Sequence, residues 1–215
     1  MSVPLFPLPN VVLFPGAVLP LHIFEERYKA MTANVIAGDG QIAMALLRLG
    51  WEKNYHCKPM IDPIVCVGRI SGWEKLDDGR YNFLLHGQAR AKVIDEKDES
   101  SLYRVARVER LHEIHASDQE LLCKRRRFLE MFSSEPLASL PVTSQLNKII
   151  SSPLPTDTVA DLVAFHLLGD IPLKQSLLAE TDVAKRIDRV LAALDAALPV
   201  LELTSRGTTR RGNYN

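Results

Sequence analysis

The stretch Leu5–Tyr28, LFPLPNVVLFPGAVLPLHIFEERY, decides how this chain folds. Pro4, Pro7, Pro9, Pro15 and Pro20 each remove a backbone donor and push the preceding residue towards extended backbone, so no helix runs through the segment. The segment is also too apolar to lie in water. It reads as a strand, a turn at Pro15-Gly16, and a second strand that presents Leu19, Leu21 and Ile23 to a core. The rest of the chain has to cover that core.

Outward from there, Glu25–Ile36 lacks Gly and Pro and carries Tyr28, Met31 and Val35 at helical spacing, with Gly38 as a stop. Gln41–Leu49 suits a buried strand, and Gly50–Pro63 breaks into a loop. Ile64–Trp73 and Arg80–His86 flank Asp77-Asp78-Gly79, a hairpin with Gly79 at positive φ. Gly87 is expected to break that strand before Ala89–Ile94 resumes it. Asp95–Ser101 reads as a solvated turn, and Leu102–Leu111 closes the β-rich half.

Near Ala116-Ser117 the hydrophobic period changes from two to about 3.6. Ser117 with Glu120 forms a capping box for a helix whose apolar set is Leu121, Leu122, Phe128, Leu129 and Phe132. A helical piece is expected over 141–150. Thr158 and Asp161 repeat the capping-box spacing before a stripe ending at Gly169, and Pro172 opens a short helix through Ala179. The last helix starts after Asp182 and is expected to end or bend at Pro199, which would cost a continuing helix about 3 kcal/mol. Thr204–Asn215 is expected to be a disordered tail.

Composition narrows the function classes. The 215 residues suffice for a sizeable core, and 47% hydrophobic with 24% charged residues is ordinary for a globular chain. Lys+Arg and Asp+Glu balance at 26 each, so no bulk field steers nucleic acid or anionic membrane. Cys57, Cys66 and Cys123 cannot all pair, no signal-peptide pattern opens the sequence, and no apolar run is long enough to span a bilayer; a cytoplasmic location off the membrane is expected.

No glycine is followed by lysine, so the phosphate-cradling loop of P-loop ATPases is absent, as is the G-x-S-x-G nucleophile elbow. Cys57, Cys66, His56, His112 and His115 lack zinc-ligand spacing, and His22, His86 and His166 lack a matched carboxylate or nucleophile. No catalytic residue, metal or cofactor is expected. Lys124-Arg125-Arg126-Arg127 is the sharpest charge run; it falls on an amphipathic helix where basic side chains usually form a solvated face, and it carries the alternative of nucleic-acid binding. Trp51, Tyr55 and Met60 in the 50–63 loop, with Phe14 and Pro15 of the first turn, are candidates to bind polypeptide if exposed; otherwise the loop is a lid.

The order Pro7-Leu8, Val11, Phe14-Pro15-Gly16, Leu19-Pro20-Leu21, Ile23-Phe24-Glu25 and Arg27-Tyr28 resembles the opening of the Lon protease N-terminal domain family, most closely its short stand-alone bacterial members. Val67-Gly68-Arg69-Ile70 and Gly87, Arg90 and Val93 fit the same pattern. The resemblance covers roughly residues 3–203 and thins beyond Leu111. It implies an α+β fold, a PUA-like antiparallel β-barrel over 1–116 packed on a helical half over 117–203. It also implies a non-catalytic module that binds unfolded or partner polypeptide, with a separate protease as one candidate partner; the sequence carries no ATPase or protease motif. RNA binding, known among PUA-like barrels, is the alternative.

Overall fold

Three of the five opening prolines lie inside strands, and the pairing explains how they are tolerated. The computed structural model of the protein describes residues 1–54, 58–97, 102–139, 141 and 143–209. In β1 (Ser2–Leu8), residues 2–4 pair with β6 (Val105–Arg110) and residues 5–8 with β3 (Gln41–Leu46). Pro4 and Pro7 therefore each sit where one side of the strand makes no ladder. Pro20 lies in β2 (Val18–Ile23), which pairs only with β5 (Tyr81–Glu96) and forms the sheet edge.

The remaining elements are α1 (Glu26–Ala37), β4 (Ile64–Lys75), α2 (Asp118–Phe132), α3 (Thr143–Ile150), α4 (Thr156–Leu167), α5 (Ile171–Ala179) and α6 (Val183–Thr209). The sheet order is β2-β5-β4-β3-β1-β6, and a further β5–β6 pairing closes five of the strands into a ring. The fold is α+β, as the order of strands then helices leads one to expect. One pairing departs from an all-antiparallel barrel: β1 and β3 run parallel, with helix α1 and the β2 excursion between them in sequence.

The chain divides into two compact units. One comprises Met1–His112 with Gly169–Thr181, the other Glu113–Leu168 with the chain from Asp182. In the first, every ring strand contributes to the core: Val3 and Leu5, Ala43 and Ala45, Val65 and Val67, Ala91, Ala106 and Val108. Four alanines among nine residues fit the narrow interior of a five-stranded ring, where larger side chains would collide. Helix α5 belongs to this unit although the chain reaches it late. Asp170 caps it through the Leu173 N–H, Leu177 and Leu178 are buried, and Gln175 Nε2 donates to the Ile64 carbonyl at 2.8 Å. Arg90, also buried, donates from Nε to the Leu178 carbonyl at 3.1 Å.

Gly87 does not break the strand as expected. β5 runs through it, with a register shift against β4 between Val67 and Gly68. Gly16 donates to the Gly87 carbonyl and Gly87 donates to the Ala17 carbonyl, both at 2.9 Å, so the first turn forms a bulge against Gly87. Gly16 takes φ 80°, and a Cβ built on Gly87 would lie 2.1 Å from the Phe14 carbonyl oxygen. Gly79 takes φ 81° in the β4–β5 turn, as the sequence leads one to expect.

In the helical unit, the Glu120 N–H donates to Ser117 Oγ at 3.3 Å, the expected cap of α2. The buried face of α2 is Phe128, Met131 and Phe132, whereas Leu122 and Leu129, placed in the apolar set from sequence, are exposed. Both sets follow helical spacing, and tertiary packing decides between them. Thr158 lies inside α4, so it does not cap; Asp161 is buried and faces Arg186, whose Nε lies 3.2 Å from Asp161 Oδ1 and whose Nη2 lies 2.7 Å from Glu113 Oε1. The last helix continues through Pro199 to Thr209, beyond the stop expected there and into the segment expected to be a tail. Residues 210–215 of that segment lie outside the described residues.

Candidate functional site

The 50–63 loop is pinned at its base by a short ladder. Leu47 bridges Ile61, the Arg48 N–H donates to the Met60 carbonyl at 2.9 Å, and the Asp62 N–H donates to the Leu46 carbonyl at 2.8 Å. Arg48 and Asp62 pair at 3.5 Å across the same rungs. Trp51 opens a single 3-10 turn and is half-buried, whereas Met60 is 67% exposed and Leu49 is fully so. Tyr55 lies outside the described residues. Phe14 is fully buried, so its ring offers no surface, and Pro15 is half-buried beside it. The structure thus divides the expected residues it describes: Met60 wet, Trp51 and Pro15 partly so, and Phe14 in the core.

Met60 flanks a cleft of about 270 Å³ whose apolar lining includes Pro59, Ile61 and Val93. Its polar side is Lys58, Glu96 and Arg104. Arg104 grips Glu96 with two bonds of 2.9 and 2.6 Å and donates to the Pro59 carbonyl at 2.8 Å; Lys58 Nζ lies 3.3 Å from Glu96. Burial alone would raise the Glu96 pKa, but the bonds and charges of Arg104 and Lys58 outweigh it and hold the carboxyl below its ordinary value.

A second apolar surface was missed from sequence. On the outer face of β2 and β5, Val18 pairs with His86, Pro20 with Leu84 and His22 with Asn82; all six lie on the face opposite buried Ile23, Phe83 and Leu85. Val18 and Leu84 are exposed, as are Phe24 just beyond β2 and Trp73, 52% exposed, in the irregular segment of β4. A cleft of about 290 Å³ opens here between Pro20, His22, Gly72, Asn82 and Leu84. His22 Nδ1 lies 2.7 Å from Asn82 Oδ1, and Arg80 Nη1 lies 3.3 Å from His22 Nε2 while its Nη2 binds Asp78 at 2.5 Å. The alternation of β2 was the available signal. Once Leu19, Leu21 and Ile23 face inwards, Val18, Pro20 and His22 face out, and the same parity exposes Leu84.

The basic run is largely spent within its own unit. Lys124 pairs with Asp188 and, at 3.4 Å, with Glu120; Arg127 lies 3.3 Å from Asp195. Arg125 donates to the carbonyls of Ile150 (2.6 Å), Ser152 (2.6 Å) and Leu154 (2.9 Å), covering the orphan acceptors that follow α3. Desolvation lowers its pKa from the ordinary value. Part of what reads as a solvated face is thus a helix cap, while Arg126 and Arg127 are exposed. Among the described residues no group of His, Cys, Asp and Glu is placed to hold a metal ion, and no helix is long and apolar enough to cross a membrane.

Comparison with known proteins accords with this geometry. The protein is 28% identical over 211 residues to a Lon protease of Azorhizobium caulinodans, a match covering 96% of this chain and 24% of that protein. The chain spans about a quarter of the length of the curated relatives it matches. Among solved structures it resembles the N-terminal domain of a Mycobacterium avium complex Lon protease, with a TM-score of 0.67 and 18% identity over 91% of this chain and 98% of that one. It likewise resembles a Lon N-terminal domain protein from Xanthomonas campestris, with a TM-score of 0.63 and 21% identity over 89% and 98% of the two chains. These likenesses establish the fold. The family described as the ATP-dependent protease La (LON) substrate-binding domain matches residues 2–196, and the chain belongs to that family.

Proposed function

We infer that this chain is a non-catalytic module that recognises unfolded polypeptide through exposed apolar surface on a rigid barrel. The observation that carries the reading is the placement of Val18, Phe24, Trp73 and Leu84 on the β2 side of the barrel unit and of Met60 at the pinned loop. Scattered exposed hydrophobics need no explanation, but exposed Leu84 lines one cleft and exposed Met60 another, and apolar side chains at a cleft suit an interaction surface. An unfolded chain offers apolar side chains in many orders, and a Trp, Phe, Leu and Met surface accepts them with little demand on sequence. Half-buried Trp51 adds to the loop candidates, and half-buried Pro15 remains a candidate in the first turn. Membership in a substrate-binding family supports the role, and delivery of bound clients to a protease is its natural use.

The test is capture of a denatured client by the Trp73→Ser/Leu84→Ser variant and by Met60→Ser. Both substitutions touch exposed side chains, so the melting temperature should hold nearly constant, within about 0.5 kcal/mol per site. Capture should fall severalfold. Full capture by both variants would show that the client binds elsewhere.

A further inference from the structure

We propose that the cleft beside Met60 prefers one kind of sequence: an extended stretch of unfolded chain that carries a bulky apolar side chain next to an Asp or Glu. This inference rests on the polypeptide-recognition reading and adds a selectivity to it.

The apolar half of the cleft is preformed. Ile61 and Val93 pack against the barrel core, so its floor cannot collapse, and the ladder at Leu47–Ile61 fixes the wall that carries Met60. A thioether two-thirds exposed over such a floor gains apolar contact only when a ligand arrives.

The polar half decides the charge of that ligand. Among the described lining side chains there are two cations, Lys58 and Arg104, and one anion, Glu96. Arg104 is committed: its two bonds to Glu96 and its bond to the Pro59 carbonyl hold the cleft wall together. Glu96 already accepts two bonds from Arg104, and Lys58, 3.3 Å from it, keeps its side chain half exposed. The neighbouring Arg48–Asp62 pair is internally neutral. A ligand carboxylate can therefore take Lys58 and leave no charge stranded, whereas a ligand ammonium would meet two cations and an anion already occupied.

The experiment uses the full chain and fluorophore-labelled polar peptides of about twelve residues whose centre is Leu-Glu, Leu-Lys or Ser-Glu, read by fluorescence anisotropy at low salt. A surface charge contact is worth up to about 1 kcal/mol, so Leu-Glu should bind roughly fivefold tighter than Leu-Lys. Ser-Glu should bind more weakly than Leu-Glu. Lys58→Ala should erase the difference between Leu-Glu and Leu-Lys, Lys58→Glu should reverse it, and Met60→Ser should weaken both Leu peptides. Raised salt should shrink the preference. Equal binding of Leu-Glu and Leu-Lys, or a preference that survives Lys58→Ala, overturns the proposal; so does failure of every peptide to bind protein that still captures a denatured client. If no denatured client is captured at all, the recognition reading itself fails and takes this selectivity with it.

Discussion

Gly87 and Arg186 are held by contacts from segments distant in sequence: Gly87 by the Phe14 carbonyl, Arg186 by Asp161 and Glu113. Gly87 reads as a strand break because glycine weakens strands. Its actual constraint is the Phe14 carbonyl, 2.1 Å from any added Cβ, which belongs to a segment far away in sequence. Because the colliding atom is backbone, Gly87→Ala should destabilise the protein by about 3 kcal/mol, at the upper end of overpacking costs, measured by urea unfolding. Arg186 sits beside the apolar positions Val183, Ile187 and Val190 of α6, where periodicity suggests a solvated neighbour. It is instead fully buried between Asp161 and Glu113. Removing the cation strands Asp161, so Arg186→Met should cost about 3–5 kcal/mol, and adding Asp161→Leu should recover much of that loss.

Glu96 supplies the pH dependence at the same scale. Its folded-state pKa is held below the ordinary value, so its contribution is fully present above the unfolded carboxylate range and is lost as pH falls through the folded value. Acidification below the ordinary carboxylate range should therefore release Arg104 and Lys58 and perturb the Met60 methyl signal in NMR spectra. Glu96→Gln should abolish that titration.

Strands and turns were more legible than helix faces, for a physical reason. A strand alternates with period two, so assigning Leu19, Leu21 and Ile23 to the core settles the opposite face as well. A helix leaves its stripe adjustable by one position, and on α2 the choice fell on Met131 over Leu129. The pinned loop shows the reverse case: its aperiodic sequence gave no hint that backbone bonds at Arg48 and Asp62 close its base.

Helix α5 carries the prediction for elements. Its residues read as one more piece of the helical half, since local sequence does not reveal that Gln175 bonds β4 and that Arg90 reaches the Leu178 carbonyl. We expect a 1–116 fragment to be unstable, because Arg90 then loses that acceptor and the barrel surface under Leu177 and Leu178 is exposed to water. The same fragment with residues 169–181 appended through a Gly/Ser linker should fold, as judged by amide dispersion. A cooperatively folded 1–116 fragment would show that α5 is dispensable.

For the molecule as a whole, the resemblance carried by the opening motif gave the family and the α+β fold, whereas the exposed apolar surface proposed for recognition was legible only in part. The loop containing Met60 stood out as the longest aperiodic segment. The β2 surface did not, because Val18, Leu84 and Trp73 are residue types that sequence alone assigns to a core. The central claim is that the protein distinguishes unfolded from folded chain by wet apolar surface. Its most direct test is calorimetric titration with one polypeptide in two states, such as a small disulfide-bonded protein in native form and in reduced, carboxymethylated form. The account predicts weak but saturable binding of the unfolded form, none of the native form, and a negative heat-capacity change from apolar burial. Equal binding of both forms, or none of the unfolded one, would contradict it.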